Sequence, residues 1–140
     1  MNEILQFILT YCSFLYAGER YGYGRYRFVD SRVGASFGGD AYLVLESEAM
    51  RMQFVRDRGE LTLYFQGTSP KARKRWFGLG VVRPLITGER VDSAVLNQSH
   101  AEFLSTHLEK IEALFTESNL ANTIDALNGQ ERARAKELFG

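Results

Sequence analysis

The first hydrophobic pattern along the chain has a helical period. Six side chains follow the i, i+3, i+4, i+7 spacing of one helix face: Ile4, Phe7, Ile8, Tyr11, Cys12 and Leu15. Asn2 is predicted to cap the start of this helix, and Gly18 to end it. Because Glu3 is the only early charge, the segment lacks the positive region of a secretory signal. The pattern therefore predicts a helix packed on the core of a cytoplasmic protein.

The middle of the chain has the period of two that β-strands show. Tyr26 and Phe28 alternate with arginines, which predicts a half-buried strand, and residues 41–45 are continuously apolar. Residues 50–66 alternate on both sides of an Asp-Arg-Gly-Glu turn, which predicts a hairpin. Residues 76–82 predict one more strand, and residues 84–87 a short helix or connection.

The last third of the chain returns to a helical period. Ser99 and Glu102 have the spacing of a capping box, which predicts the start of a helix. Four apolar residues then share one face of that helix: Leu104, Leu108, Ile111 and Phe115. A final helix is predicted from about Asn122 to Phe139, with Gly129 as the position where it would kink or split.

These elements predict one α+β domain over residues 1–140. We expect an N-terminal helix, an antiparallel sheet of about four to five strands, and two C-terminal helices packed on one face. A composition of 45% hydrophobic and 24% charged residues excludes wholesale disorder. The single cysteine, Cys12, excludes a disulfide framework and a four-cysteine zinc site.

Charge is balanced over the whole chain but not along it. The chain has 17 basic and 17 acidic residues, which argues against a general polyanion or membrane binder. Residues 61–90 hold six basic residues and one acidic residue, a net charge of +5. Residues 91–140 hold eight acidic and four basic residues, a net charge of −4. A charged recognition surface for a partner therefore remains compatible with the neutral total.

The acidic end of this distribution contains the first candidate interface. Four glutamates are predicted to lie opposite the apolar stripe of the first C-terminal helix: Glu102, Glu109, Glu112 and Glu117. One interpretation is an ordinary solvent-exposed helix face. The other is a surface for a basic protein partner, since clustered like charge speeds encounter and suppresses wrong partners.

The basic stretch Lys71-Ala-Arg-Lys-Arg-Trp76 is a second candidate interface, for nucleic acid rather than for a basic protein. It could bind phosphates, with Trp76 stacking on a base, or it could be a solvated turn. Residues 20–27 resemble an RNA-binding tract of arginine and glycine but also suit a turn that leads into a strand. The burial of Tyr21, Tyr23 and Trp76 is not assigned by periodicity, so all three are candidate partner contacts.

Catalytic chemistry has little support in the sequence. His100 and His107 are seven residues apart and share a helix face, but no i+4 partner completes a metal site. Cys12 lies on an apolar stripe and is interpreted as a small hydrophobic residue. We therefore expect neither enzymatic activity nor a metal or cofactor.

Several segments together resemble a known group of proteins. They are residues 41–66 with the turn at 56–60, residues 85–89, residues 101–105 and residues 134–140. In pattern they are similar to small bacterial immunity proteins encoded beside polymorphic toxins, including those of contact-dependent growth inhibition systems.

The resemblance implies a cytoplasmic protein that binds and neutralises the C-terminal toxin domain, often a nuclease, of a cognate effector. Such families carry no catalytic residues to assign here. The alternative hypothesis is an RNA-binding accessory protein that uses residues 20–27 and 71–75. Oligomeric state is not indicated by any of these patterns.

Overall fold

The computed structural model describes residues 1–16, 26–34 and 40–139. Within these residues the chain forms four α-helices and five β-strands. The helices are α1 (Asn2–Tyr11), α2 (Leu79–Thr87), α3 (Gln98–Leu114) and α4 (Glu117–Phe139). The strands are β1 (Arg27–Val33), β2 (Ala41–Glu46), β3 (Arg51–Asp57), β4 (Glu60–Gln66) and β5 (Phe77–Gly78).

The strands form one antiparallel sheet in the order β1-β2-β3-β4-β5. The predicted hairpin is confirmed, with Asp57 opposite Glu60 at its closed end. Its two turn residues, Arg58 and Gly59, have φ values of 53° and 82°. Positive φ at both central positions is the geometry of the tight turns that match the twist of a hairpin.

The two faces of the sheet differ in burial. One face carries large apolar side chains that join the helices in a single core, among them Leu43, Met52, Phe54, Leu63 and Phe65. Side chains on the opposite face, such as Tyr42, Gln53 and Tyr64, are half-buried. The helices contribute Ile4, Phe7, Phe103, Leu104 and Ile111 to the same core. The predicted α+β class is confirmed, with its N-terminal helix, antiparallel sheet and two C-terminal helices.

Several predicted boundaries are wrong, and each has a local reason. Asn2 is the first helical residue of α1 and forms no side-chain cap. The cap of α3 is Asn97, whose Oδ1 accepts from the backbone N–H of His100 at 2.8 Å, so Ser99 lies inside the helix. Helix α1 ends at Tyr11, so its predicted end at Gly18 is wrong, and Gly18 itself lies outside the described residues. Asparagine and serine are about equally good N-cap residues, so the sequence alone does not choose between Asn97 and Ser99 at the start of α3.

The predicted strand at 76–82 is also largely wrong. Only Phe77 and Gly78 pair with β4, and α2 begins at Leu79. Its run of apolar residues packs as a buried helix. The period of a short apolar run does not distinguish a buried strand from a buried helix. Helix α4 begins at Glu117 and continues through Gly129. The departure from helical geometry lies instead at His107 within α3 (φ −113°, ψ 15°).

Strand β1 is exposed where a half-buried strand was predicted. All seven of its residues are exposed, and Phe28 retains 58% of its accessible surface. Among the described residues β1 pairs with β2 alone and forms one edge of the sheet, so the strand lies outside the core, although Tyr26 just before it is buried. Among the described helices, none is both long and apolar enough to cross a membrane.

Candidate interaction surfaces

The outer side of α3 carries two exposed carboxylates. Glu102 and Glu109 are exposed, and neither forms an ion pair with another described residue. Glu102 accepts only a long hydrogen bond of 3.4 Å from the side chain of Gln98. We call Glu102 and Glu109 the acidic face. Their charge is available to a partner because nothing in the described structure neutralises it.

The other two predicted glutamates do not belong to this face. Glu112 is half-buried, and its Oε2 accepts a 2.7 Å hydrogen bond from the hydroxyl of Tyr26. That bond ties α3 to the residue immediately before β1. Glu117 is the first residue of α4, because α3 ends at Leu114. The single four-glutamate surface predicted from helical spacing is therefore wrong, because Glu117 lies beyond the end of α3 and Glu112 is half-buried and bonded to Tyr26.

The acidic face rests on a helix that is fixed at its N-terminal end. The guanidinium of Arg83, on α2, donates to Nδ1 of His100 at 2.9 Å and packs over the ring of Phe103. His100 Nε2 lies 2.7 Å from the carbonyl oxygen of Ser93. A guanidinium only donates and a carbonyl only accepts, so His100 is the neutral tautomer with its proton on Nε2. This arrangement locks α3 to α2 and to the preceding loop.

The environment of His100 favours its neutral form. The side chain is 5% exposed, and burial lowers its pKa from the ordinary value of 6.5. The hydrogen bond to Ser93 opposes that shift, and the charge of Arg83 adds to it. His107 packs against the ring of Phe103 with centroids 5.2 Å apart. Both histidines are thus packing residues, and no group of three potential ligands among the described residues could hold a metal ion.

The basic segment, Lys71–Trp76, is mostly occupied by contacts within the protein. Arg73 donates to the carbonyl oxygen of Thr68 at 2.9 Å and to Glu46 at 3.0 Å. Arg75 donates to Asn128 at 2.6 Å and also pairs with Glu131 on α4. The carbonyl oxygens of Arg73 and Arg75 accept from the buried side chain of Gln66. Lys71 and Lys74 are its two exposed cations with no ion pair to a described residue.

Glu46 is the centre of a charged cluster that the sequence analysis did not identify. Its carboxylate lies 3.0 Å from Arg73, 3.1 Å from Arg51 and 3.5 Å from Arg27. The Nε–H of Arg51 is not aimed at the carboxylate, so that contact is electrostatic rather than a hydrogen bond. The signal available in sequence was that Glu46 and Arg51 end and begin consecutive strands, which places them opposite one another.

Trp76 belongs to this cluster. It is half-buried, and the guanidinium of Arg51 lies 5.4 Å from the centre of its ring. Arg51 also donates to Gln66 at 2.5 Å, so its position is fixed by several partners. Trp76 is therefore engaged with the protein's own arginine and only partly open to a base or a partner. Tyr21 and Tyr23, the other aromatic candidates, lie outside the described residues.

Cys12 has the role that its position predicts. Its side chain is fully buried, and burial raises the pKa of the thiol to about 12. A thiol that stays protonated at neutral pH is a poor nucleophile.

Comparison of the chain with protein-family models, with curated proteins and with solved structures found no match.

Proposed function

We propose that this protein is an immunity-type inhibitor that binds and neutralises the toxin domain of a cognate bacterial effector in the cytoplasm. The observation that carries the proposal is the acidic face on α3, where Glu102 and Glu109 are exposed and form no ion pair with any described residue. A toxin that acts on nucleic acid needs a basic surface around its cleft. An acidic face that meets this surface would exclude the substrate and give the inhibitor its specificity.

The packing of α3 supports this function. The Asn97 cap and the Arg83–His100–Ser93 contacts hold the helix before any partner arrives. Tyr26 holds it further along through Glu112. A helix that is already ordered loses little conformational freedom on binding, which favours affinity, and its clustered charge raises the association rate. Neutralisation would then occur by binding, with no catalytic step by this chain.

The RNA-binding alternative receives less support from the same contacts. Arg73 and Arg75 are the central cations of the basic segment, and both are paired with carboxylates. Binding a phosphate would require these pairs to be exchanged, which lowers the net gain. Residues 20–25 of the other basic tract lie outside the described residues, so they add no contact to either hypothesis.

The test of the inhibitor hypothesis is a charge reversal on the acidic face. The binding probe is the C-terminal domain of the effector encoded next to this chain, and association rate and toxin neutralisation are both measured. Glu102→Lys with Glu109→Lys should slow association by about tenfold or more at low salt. Asp57→Lys with Glu60→Lys is the matched control, because both residues are exposed at the hairpin turn and the net charge change is equal.

Equal slowing by both pairs of substitutions would show that only net charge matters, and would contradict an interface on α3. A wild-type chain that fails to bind or neutralise this domain would contradict the inhibitor hypothesis itself. The RNA alternative is tested by titrating salt against binding to a single-stranded RNA. Each phosphate contact should contribute about −0.7 to the log–log slope, and we expect no measurable binding.

A further inference from the structure

Strand β1 leaves one long edge of the sheet open. Its residues are exposed along the whole strand, and three of its apolar side chains keep large exposed fractions: Phe28 58%, Val29 37% and Val33 61%. At the other end of the sheet, Leu96 donates a backbone bond to Leu61, and β5 covers part of β4. The described structure therefore protects one edge and exposes the other. An open edge can accept another strand.

The hydrogen-bond pattern identifies which groups of β1 point outward. The backbone N–H of Gly34 donates to the carbonyl oxygen of Asp40 at 2.6 Å. Opposed residues of an antiparallel pair alternate between hydrogen-bonded and non-hydrogen-bonded positions. Arg32 and Asp30 therefore bond to β2, opposite Tyr42 and Val44. Ser31 and Val33 direct their N–H and C=O groups away from the sheet.

We propose that β1 pairs antiparallel with β1 of a second copy, across a two-fold axis at Ser31, to form a continuous ten-stranded sheet. In this register Ser31 and Ser31 of the second copy exchange both backbone hydrogen bonds. Asp30 then lies opposite Arg32 of the second copy, and Arg32 lies opposite Asp30. These are non-hydrogen-bonded positions, where facing side chains are closest.

The charges of β1 select this register against its neighbours. Shifting the axis to Asp30 places two Asp30 carboxylates opposite each other, and shifting it to Arg32 places two guanidinium groups opposite each other. Like charges directly across a strand pair are destabilising. Charged residues usually protect an edge strand from pairing. Here the two charges have opposite signs and are two residues apart, so the strand is complementary to itself.

The exposed apolar side chains flank this register. The bulge between Phe28 and Asp30 leaves Val29 without a partner on β2, so the regular pairing is limited to Asp30–Arg32 of each copy. Val33 of one copy then lies near Val29 of the other, and both side chains are exposed. We therefore expect a weak dimer whose population depends on concentration. This dimer would form whether or not the chain inhibits a toxin, since the acidic face lies on α3.

The experiment is a charge swap read out by sedimentation equilibrium of the full chain over a range of concentrations. Asp30→Arg alone and Arg32→Asp alone should each weaken the dimer by about tenfold or more, because both symmetric pairs become repulsive. An equimolar mixture of the two variants should associate again, since each arginine of one variant then faces an aspartate of the other. The double variant Asp30→Arg with Arg32→Asp should also dimerise as the wild type does.

A second variant tests the backbone contact. Ser31→Pro removes the outward N–H at the axis but no bond to β2, so it should abolish the dimer while the monomer keeps its circular dichroism spectrum. A wild-type chain that is monomeric at every concentration would overturn the proposal. So would a dimer that persists in all single variants, or single variants that do not associate when mixed. Binding of β1 to a different protein, with no self-association, would also overturn it.

Discussion

The basic segment and the acidic face are both runs of like charge in the sequence, yet the structure uses them differently. Arg73 and Arg75 are joined to Glu46 and Glu131, which lie more than 25 residues away along the chain. Glu102 and Glu109 have no ion pair among the described residues. A charge run therefore indicates a binding surface only when the fold brings no opposite charge to it.

Their supports differ in the same way. The basic segment is a loop held by its own arginines and by the carbonyl contacts of Gln66. Helix α3, which carries the acidic face, packs on the apolar core and is held by His100, while Glu102 and Glu109 form no ion pair with a described residue. The arginines of the basic segment are therefore engaged in contacts within the protein, and Glu102 and Glu109 on α3 have no ion partner among the described residues.

The largest effect on the free energy of unfolding is expected from a substitution at Gly67, where the chain leaves β4 for the basic segment. A Cβ at Gly67 would lie 2.5 Å from the Cβ of Ala72 and 2.9 Å from the carbonyl oxygen of Phe115. Gly67→Ala should lower the free energy of unfolding by about 2–3 kcal/mol, because both neighbours must move. Urea denaturation measures this change.

Gly129→Ala is the matched control for that substitution. Its nearest neighbour would be the side chain of Arg132 at 3.8 Å, and it lies within α4. It should raise the free energy of unfolding by about 0.5–1 kcal/mol, since alanine is the better helix former. If Gly67→Ala were as stable as the wild type, the basic segment would not be packed tightly against the end of α3.

An intermediate effect is expected from Glu46→Gln. This variant leaves Arg51, whose side chain is 18% exposed, without its carboxylate and releases Arg73. The free energy of unfolding should fall by about 1–2 kcal/mol. Glu102→Gln, on the acidic face, should change it by less than about 0.5 kcal/mol. The same denaturation experiment compares them, and equal losses would contradict the division between paired and free charges.

The smallest effect on stability is expected from the protonation of His100 as the pH falls. Because its pKa is lowered in the folded state, the unfolded chain binds more protons as the pH falls through 6.5. Stability is therefore lost on acidification, by at most about 0.7 kcal/mol between pH 7 and pH 6. Thermal or urea unfolding across this range measures the slope. His100→Gln should reduce this slope, and an unchanged slope in that variant would contradict this role for His100.

Local patterns predicted much of the fold. The stripe of α1 is confirmed at Ile4, Phe7 and Ile8, and the stripe of α3 at Leu104, Leu108 and Ile111. The hairpin was predictable because its turn residues and its alternation agree. The start of α2 was not predictable, since a short apolar run fits a buried helix as well as a strand.

The candidate site was less predictable. The exposure of Glu102 and Glu109 follows from their position opposite the apolar stripe, which the helical period already implies. Glu112 has the same local pattern, but Tyr26 reaches it across 86 positions of sequence. No local rule contains that contact. The exposure of β1 was unpredictable for a similar reason, because alternation does not show whether a strand lies at the centre or at the edge of its sheet.

By itself the sequence determined the periods of its helices and strands, the hairpin turn and the division into a basic middle and an acidic end. These properties depend on backbone geometry and on residues a few positions apart. Only the tertiary structure decided which charged side chains are engaged within the protein, because Arg73 and Arg75 meet carboxylates on distant elements and Glu112 accepts a hydrogen bond from Tyr26. It also decided that β1 is an open edge. Both outcomes depend on how the elements pack, and that arrangement is what separates a charged segment from an available surface.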